Sequence, residues 1–505
     1  MIWDELAKIA LIGTERARLS ESTLLALARL GIDTDGHPAQ VVLEAAALYH
    51  GLRRAGFPLS KEEQPVGLPG QDAIAGGRPA SARASRHLSL ILDGHYWHAL
   101  PEYLELAGRH RRQLPAEYLP ALFQLSLKYP EIWSMVQPAL GPAGQWLLRQ
   151  NPDWQPLSEN PEADTWPDAS LEDKQAMLRF LRRTSPEHAP PLLRPIWDGL
   201  SYTDKLAMLN ILARGLGDHD EEFLEHCLLD SRREVRQAAA GLLSHMPDSG
   251  LVERLFARAK GLLKEADGAP LELLYPKELD EGLKRDGIGA KKGTPATWAQ
   301  EIISKIPPKR WEEHFRKPTV DCLRLLAGSA RKKILIEAVT QAAILHQDHR
   351  WIEAIVRFWW RTNDEEAWSS ALGKRLIGQL PAPVFNELAV QQLRQQPGYI
   401  EERSLLSHML SQGAHPWEAR LAQLVLNGFQ QWISGARNYY WNLWHYRRIL
   451  EVAAYQAEPG IEERFRTGWD ARSPVWYRWE KEVERFLKVL VFRKEVQAEI
   501  ARGAG

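Results

Sequence analysis

The feature that most constrains the fold is a sequence pattern that recurs every 31 residues (204 minus 173) near the middle of the chain. Leu171–Leu181 and Tyr202–Leu212 share Asp, Lys, Ala, Met and two Leu at equivalent positions, and Val235–Leu243 continues the pattern. A repeat of roughly 20 to 50 residues with two helical segments per unit is typical of stacked helix pairs. The aligned apolar positions are Ala176, Ala207 and Ala238, and Leu181, Leu212 and Leu243.

Each unit of such an array has an apolar stripe that is too large to bury alone, so its neighbours must cover it. The aligned alanines would let adjacent helices approach closely, while the aligned leucines would fill the space between layers. We expect the second helices of the pairs at Pro186–Trp197, Asp218–Leu229 and Asp248–Lys260, since proline and aspartate suit helix starts. The repeat therefore predicts helix pairs over residues 169–265.

One of these units also resembles a known repeat type. Asp230 to Ala239 places an Asp in a turn, followed by Val-Arg and small residues on the next helix, and in this it is similar to a HEAT unit. The resemblance covers a small part of the chain. It implies a fold and no particular activity, because helical solenoids serve many functions.

Outside the repeats, apolar residues recur at helical spacing nearly everywhere between Pro or Gly breaks. We therefore predict an all-α protein, with an α-solenoid of HEAT-like helix pairs flanked by irregular helical regions. The predicted parts are an N-terminal helical domain (1–155) with a mobile loop (56–82), a linker (156–168), the repeats (169–265), an irregular insertion (266–297), a second helical region (298–415) and a Trp- and Tyr-rich C-terminal helical region (416–505).

Charge and cysteine content narrow the classes of function. The 64 Lys and Arg residues nearly balance the 65 Asp and Glu residues, which gives a net charge of -1 and no whole-chain attraction to nucleic acid or anionic lipid. Two isolated cysteines offer neither a disulfide framework nor a zinc site. The acidic start of the chain does not fit a secretion signal, and no apolar run is long enough to span a membrane. We expect a cytoplasmic protein that does not associate with membranes.

Templates for catalysis and cofactor binding do not fit the sequence. Gly287–Thr294 is rich in glycine and lysine, but its spacing differs from that of a phosphate-binding loop, and a flexible basic loop is the simpler interpretation. The pairs His346/His349 and His95/His98 lack a third ligand nearby. There is no G-x-S-x-G motif, and Cys227 lies on an apolar helix face. We therefore predict no catalytic residue, cofactor or metal. An enzyme whose active site is assembled from residues far apart in the sequence is a further interpretation.

Basic clusters are the first candidates for a binding surface. They occur at 109–112, at 305–317 and at 331–333, with Trp311 beside the second, and could hold a phosphate backbone by charge and stacking. Acidic neighbours such as Glu312 and Glu313 dilute the second cluster, and charge runs are most often solvated faces. The candidate residues are Arg111, Arg112, Lys309, Arg310, Trp311 and Lys332.

Aromatic residues near the C-terminus are the second set of candidates. Trp, Tyr and Arg dominate the energetics of protein interfaces, so this region could be a groove or a partner surface. The alternative is that most of these side chains fill an aromatic core or cap the helical array. The candidate residues are Tyr440, Trp441, Trp444, Trp476 and Trp479.

Several short motifs resemble an uncharacterised bacterial family, domain of unknown function 5691. They are Gly13-Thr14-Glu15-Arg16, Leu119-Pro120, Gly141 to Leu148 with Asn151 to Trp154, and Ile306-Pro307-Pro308 followed by Trp311. The family is typically encoded beside a MoxR-type AAA+ ATPase, a von Willebrand factor A domain protein and a SWIM zinc-finger protein. The resemblance implies a component of a chaperone-like or signalling assembly, with no catalytic residues to transfer.

These observations favour a non-catalytic scaffold or adaptor that binds another protein, such as the AAA+ ATPase or the von Willebrand factor A domain protein. The second hypothesis is an α-solenoid that binds nucleic acid through the clusters at 109–112 and 305–333.

Overall fold

The structure is a computed structural model, and it confirms the all-α helical-repeat fold. It divides the chain into two compact units, Met1–Gly70 and Gln71–Gly505. None of the described helices is both long and apolar enough to cross a membrane. The residues that it describes are 2–55, 78–157, 166, 169–265, 270–289, 293–395, 400–436 and 444–502.

The first unit contains the helices α1 (Ile2–Ile12), α2 (Glu21–Arg29) and α3 (Pro38–Ala55). Leu6 and Leu27 are buried in its small apolar core. The Glu5 carboxylate accepts hydrogen bonds from the Thr23 hydroxyl and from the Ser20 backbone N–H, which ties α1 to the start of α2. These bonds stabilise the charged form and lower the pKa of Glu5.

The second unit begins with two short strands and five α-helices. The strand β1 (Arg78–Pro79) pairs in parallel with β2 (Arg112–Gln113). Its helices are α4 (Ala82–Leu92), α5 (Leu100–Arg109), α6 (Leu119–Lys128), α7 (Pro130–Val136) and α8 (Gly141–Gln150), followed by a 3₁₀ turn at Pro152–Leu157. Leu88, Leu104 and Phe123 are fully buried between them.

The repeats follow as three helix pairs. The first helices are α9 (Leu171–Thr184), α11 (Tyr202–Leu212) and α13 (Arg233–Leu243), and the second helices are α10 (Ala189–Leu193), α12 (Glu221–Cys227) and α14 (Gly250–Lys260). The three first helices pack side by side in sequence order. Leu212 and Leu243 are fully buried between the layers.

Serine caps set the starts of the first two repeat helices. Ser170 Oγ accepts a hydrogen bond from Asp173 N, and Ser201 Oγ does the same for Asp204 N, one repeat later. Such a cap satisfies one of the free N–H groups of the first turn. The third helix follows Arg232 and has no side-chain cap, so the 31-residue pattern is strictest in the first two units.

The rest of the second unit is also helical. It begins with a pair of two-residue strands, β3 (Leu263–Lys264) and β4 (Glu272–Leu273), which pair antiparallel. The helices are α15 (Glu281–Arg285), α16 (Pro295–Ile303), α17 (Lys309–Phe315), α18 (Thr319–Ala327), α19 (Lys332–Leu345), α20 (His349–Thr362), α21 (Glu365–Ser369), α22 (Ala371–Gly378), α23 (Ala382–Gln395), α24 (Leu405–Ser411), α25 (Ala419–Gly435), α26 (Trp444–Gln456), α27 (Glu462–Phe465) and α28 (Trp476–Ala501).

Helix contacts within the second unit form a closed circuit. Starting from α9, successive contacts run through α11, α13, α14, α16, α19, α22, α21, α24 and α26 to α28. The long helix α28 packs on α4 and α5. Helix α5 contacts α7, α7 contacts α6, and α6 contacts the 3₁₀ turn at Pro152–Leu157, which packs on α9. Both ends of this helix path, α9 and α28, therefore contact the segment 78–157.

This packing places the domain division elsewhere than the sequence suggests. The sequence indicates one domain over 1–155 and a linker at 156–168, whereas the compact units divide after Gly70. Phe492 and Ile500 of α28 share a core with Leu88 and Leu104, so residues 78–157 belong to the second unit. Most of the predicted linker, and residues 56–77 of the predicted loop, lie outside the described residues, while Trp166 is buried in the core of the repeats.

Arg493 joins three helices at the closing point of the circuit. Its Nε donates to Glu102 Oε2 of α5 over 2.6 Å, and its Nη1 donates to the backbone oxygens of Ala454 and Ala457 at 2.7 and 2.8 Å. The side chain is buried, with 8 % of its surface exposed. Because a guanidinium has five donors in a rigid plane, one residue can bind a carboxylate and a helix end together.

A second buried arginine holds the first two repeats together. Arg182 forms a bidentate pair with Asp220, at 2.7 and 2.8 Å, and both side chains are fully buried. Its remaining N–H groups donate to the backbone oxygens of Leu212, Arg214 and Pro186. The carbonyls at the end of α11, which have no partner within the helix, are therefore satisfied by a side chain of α9.

We expect the fold to be less stable at acidic pH because of the buried imidazole of His346. Its Nε2 lies 3.0 Å from the backbone oxygen of Lys305, which can only accept, so Nε2 is the protonated nitrogen. The buried Nδ1 has no partner among the described residues. Burial lowers the pKa of His346 below its ordinary value of 6.5. The unfolded chain therefore takes up the proton first, and stability that is complete above about pH 6.5 is lost as the pH falls.

Denaturant unfolding at about pH 7.5 and pH 5.5 tests this, with a lower midpoint expected in acid. His346→Gln can still donate to the Lys305 carbonyl and should reduce the difference. The substitution should not abolish the difference in unfolding midpoint between the two pH values, because burial also lowers the pKa of four other histidines, namely His87, His314, His408 and His445. An unchanged pH dependence in His346→Gln would contradict the assignment.

Candidate functional site

The basic cluster at 109–112 is partly used within the fold. Arg112 donates hydrogen bonds to the backbone oxygens of Ile500 and Arg502, which fixes the end of α28. Arg111 is exposed, and its φ of 51° places it in the left-handed region that ends the turn after α5. One of the two predicted arginines is therefore a structural residue, and the other faces solvent.

The second cluster lies on α17, and its central tryptophan is part of the core. Trp311 is fully buried against Phe256 and Phe315, which corrects its assignment to a partner-facing surface. Arg310 pairs with Glu253 at 2.5 Å and lies over the ring of Phe256. Lys309 is exposed.

The predicted aromatic surface contains both a fully buried and a half-buried tryptophan. Trp479 is fully buried against Phe429 and Trp432, so it is a core residue and cannot contact a partner. Trp476 is half-buried and stacks on Trp469. Tyr440 and Trp441 lie outside the described residues, and of Trp444 only the backbone, at the start of α26, is described.

An open groove lies between α19 on one side and α20, α21 and α22 on the other. Its volume is about 650 Å³, which is within the range of ligand pockets. We call it the central groove. Apolar side chains line its floor, namely Ile336, Phe358, Trp359, Ala367 and Leu372. Charged and amide side chains line its rim, namely Lys332, Lys333, Glu337, Gln341, Asn363, Asp364 and Glu366.

Several polar groups in the central groove remain available for a ligand, among them Gln341, Lys332 and Glu337. Gln341 is half-buried and its amide makes no hydrogen bond to any described residue. Lys332 is exposed and has no ion pair among the described residues. Glu337 accepts one hydrogen bond from Gln300 at 3.2 Å, which leaves further acceptor positions on its carboxylate. The groove thus offers amide groups and side chains of both charges beside an apolar floor, with Lys332 as the cation and Glu337 and Asp364 as carboxylates that have no ion pair among the described residues.

The frame of the central groove is fixed by local bonds. Asn363 ends α20 in the left-handed region, with a φ of 50°, and Asp364 caps α21 by accepting from Ala367 N. Lys333 reaches across the rim to Glu366 over 2.6 Å. The turn at Asn363 and the Asp364 cap place α21 directly after α20, whereas the Lys333–Glu366 pair is exposed to solvent and contributes little to stability.

Of the groove residues, only Lys332 is among the sequence-based candidates. The others are separated in sequence by the turns between four helices. Lys332, Lys333, Glu337 and Gln341 recur at helical spacing in the helix Lys332–Leu345, and this is the local signal that one of its faces is open to solvent. The opposite wall depends on how α20 to α22 pack, which no local pattern predicts.

Comparison with known proteins gives one match. A family model covers residues 5–500, nearly the whole chain, and is described as a family of unknown function, DUF5691. No curated protein and no solved structure matches the chain. The match carries no ligand or activity to this site.

Proposed function

Because the chain belongs to the DUF5691 family, whose function is unknown, we propose from the geometry of its own surface that it is a non-catalytic scaffold that binds another protein. The observation that supports this is the central groove, in which the unbonded amide of Gln341 lies beside an apolar floor. An amide side chain has both a donor and an acceptor, as a peptide unit does.

A polypeptide segment matches the remaining features of the central groove. Its apolar side chains would cover Phe358 and Leu372, both of which are partly exposed in the free protein. Its backbone would pair with Gln341, while residues of either charge could meet Lys332 and Glu337. A nucleotide or another uniformly charged ligand would leave one of these charges unpaired, at a cost.

For the identity of the partner we rely on the family resemblance. It favours a MoxR-type AAA+ ATPase or a von Willebrand factor A domain protein of the same bacterial system. The cytoplasm is the proposed compartment, and it suits the two buried cysteines, which are both free thiols.

Nucleic-acid binding through the basic clusters is the alternative, and it has less support. Several cations of these clusters already pair with carboxylates, which reduces the charge available to phosphates. These pairs are Arg310 with Glu253, Lys317 with Glu265, and Lys333 with Glu366. DNA or RNA binding that weakens steeply with salt would favour the alternative.

Selection of random peptides displayed on phage against the full chain tests the scaffold proposal. We expect selected peptides to contain apolar residues and to bind the wild type with a micromolar Kd. Leu372→Arg places a charge on the apolar floor and should weaken them by about tenfold or more. Fluorescence anisotropy with labelled peptides provides the measurement.

The matched control is Arg420→Glu, an exposed position in the first turn of α25 that is not among the groove residues. It should bind the peptides as the wild type does. If the selected peptides bind Leu372→Arg as tightly as the wild type, the central groove is not the binding site. Circular dichroism of each variant checks that the helical fold is retained.

A further inference from the structure

A second cavity lies between α26 and α28, the helix that closes the circuit. Its volume is about 310 Å³, at the lower end of the range of ligand pockets. Residues three or four positions apart share one face of a helix, so Glu482, Arg485 and Val489 line the cavity from α28. Glu451 and Tyr455 line it from α26. We call it the α26–α28 cavity.

The floor of the α26–α28 cavity is apolar. It is formed by four buried side chains, namely Leu450, Ala454, Phe486 and Val489. An aliphatic group that replaced water over this floor would be stabilised by its removal from solvent. The floor therefore favours a ligand with an apolar part, and the small volume limits that part to a few carbon atoms.

One arginine of the cavity has no counter-charge among the described residues. The described lining contains three arginines and two glutamates. Both glutamates are paired within the cavity, Glu451 with Arg448 at 3.0 Å and Glu482 with Arg447 at 3.7 Å. Arg485 is exposed and has neither an ion pair nor a hydrogen bond to a described residue. The segment 437–443, which precedes α26 and lies outside the described residues, contains no Asp or Glu. The guanidinium of Arg485 is thus available to an anion.

The hydroxyl of Tyr455 is a second polar group that a ligand can use. The side chain is half-buried, and its hydroxyl makes no hydrogen bond to any described residue. His98 packs edge to face against the ring, with 5.3 Å between the ring centres. Burial raises the pKa of Tyr455 above its ordinary value of 10.0, and the positive charge of nearby Arg485 opposes this shift. The hydroxyl is therefore protonated at neutral pH and can donate a hydrogen bond.

Two donors beside an apolar floor match a carboxylate that is attached to an aliphatic group. A carboxylate accepts hydrogen bonds from a guanidinium in a planar, bidentate arrangement and has further positions for a hydroxyl donor. We propose that the α26–α28 cavity binds a carboxylate carried on a small aliphatic group, as in the last residue of a polypeptide or in a short fatty acid. The proposal is independent of the central groove, because no described residue lines both sites.

The probe is the peptide Gly-Ser-Gly-Ala-Leu, labelled with fluorescein at its N-terminus and titrated with the full chain. We expect the same peptide with a C-terminal amide to bind at least about tenfold more weakly, because it lacks the charge that pairs with Arg485. Hexanoate should displace the probe at a concentration at least about tenfold lower than acetate, because only hexanoate is long enough to cover the apolar floor. If hexanoate displaces the probe at a lower concentration than the unlabelled peptide does, the ligand is a free carboxylic acid, and the reverse order assigns it to a polypeptide terminus.

Variants locate the binding site of the probe. Arg485→Gln should weaken binding by at least about tenfold, and Tyr455→Phe by about threefold or more. Lys481→Gln is the matched control, because it removes the same charge at an exposed position one turn earlier in α28, outside the cavity lining. It should bind as the wild type does, and so should Leu372→Arg in the central groove.

Three results would overturn the proposal. The first is that neither the peptide nor hexanoate binds. The second is that the amide peptide binds as well as the carboxylate, or that acetate competes as well as hexanoate. The third is an unchanged affinity in Arg485→Gln, or an equal loss in Lys481→Gln. Circular dichroism of each variant checks that the helical fold is retained.

Discussion

Replacing Arg182 with methionine is expected to lower the free energy of unfolding of the second unit by about 3–5 kcal/mol. The substitution leaves the fully buried Asp220 carboxylate without its counter-charge. It also removes the donors to the backbone oxygens of Leu212 and Arg214 at the end of α11. Methionine fills a similar volume, so the loss would come from the uncompensated polar groups rather than from a cavity. Denaturant unfolding followed by circular dichroism measures it.

Two further variants separate the ion pair from a general effect of changing this helix. Arg179→Met, at an exposed position of the same helix, should change stability by no more than about 0.5 kcal/mol. R182M/D220N removes the buried charge as well as the arginine and should recover part of the loss. If Arg182→Met is as stable as Arg179→Met, the buried pair does not hold the repeats together.

Truncation of Trp311 to alanine is expected to cost about 3–5 kcal/mol, because it opens a large cavity in the larger of the two apolar cores of the second unit. The side chain is fully buried and contacts the rings of Phe256 and Phe315. Its Nε1 has no hydrogen-bond partner among the described residues. Trp311→Phe would therefore lose volume but no hydrogen bond, and should be less destabilising. Thermal and denaturant unfolding measure both variants.

Lys309→Ala provides the control on the same helix, because Lys309 is exposed and its removal leaves the core intact. We expect a change within about 0.5 kcal/mol. A small loss for Trp311→Ala, comparable with that of Lys309→Ala, would contradict the burial of this tryptophan. It would return Trp311 to the set of surface residues available to a partner.

Local patterns predict the repeats well, because their information lies within one helix pair. Of the aligned leucines, Leu212 and Leu243 are fully buried, as the 31-residue period implies, while Leu181 and the aligned alanines Ala176, Ala207 and Ala238 are half-buried. Helix starts follow from short-range chemistry, as the serine caps of α9 and α11 show. The all-α class follows from helical spacing along the whole chain.

Properties that depend on distant contacts could not be predicted in this way. A buried and an exposed tryptophan look alike in sequence, so sequence alone does not separate the core residues Trp311 and Trp479 from interface residues. The bond between Glu102 and Arg493 joins residues 391 positions apart, and nothing near either residue indicates the other. The central groove is likewise assembled from helices that are separate in sequence, which explains why Lys332 is its only residue among the sequence-based candidates.

The closure of the helix circuit by α28 has a consequence for synthesis of the chain on the ribosome. Leu88 and Leu104 are made early, yet the core that buries them includes Phe492, near the end of the sequence. At about 5–20 residues per second, the 391 residues between Glu102 and Arg493 take about 20–80 s to translate. During that interval the faces of α4 and α5 that will bind α28 are uncovered. The nascent chain therefore presents an apolar surface that a chaperone can bind until α28 has left the ribosome.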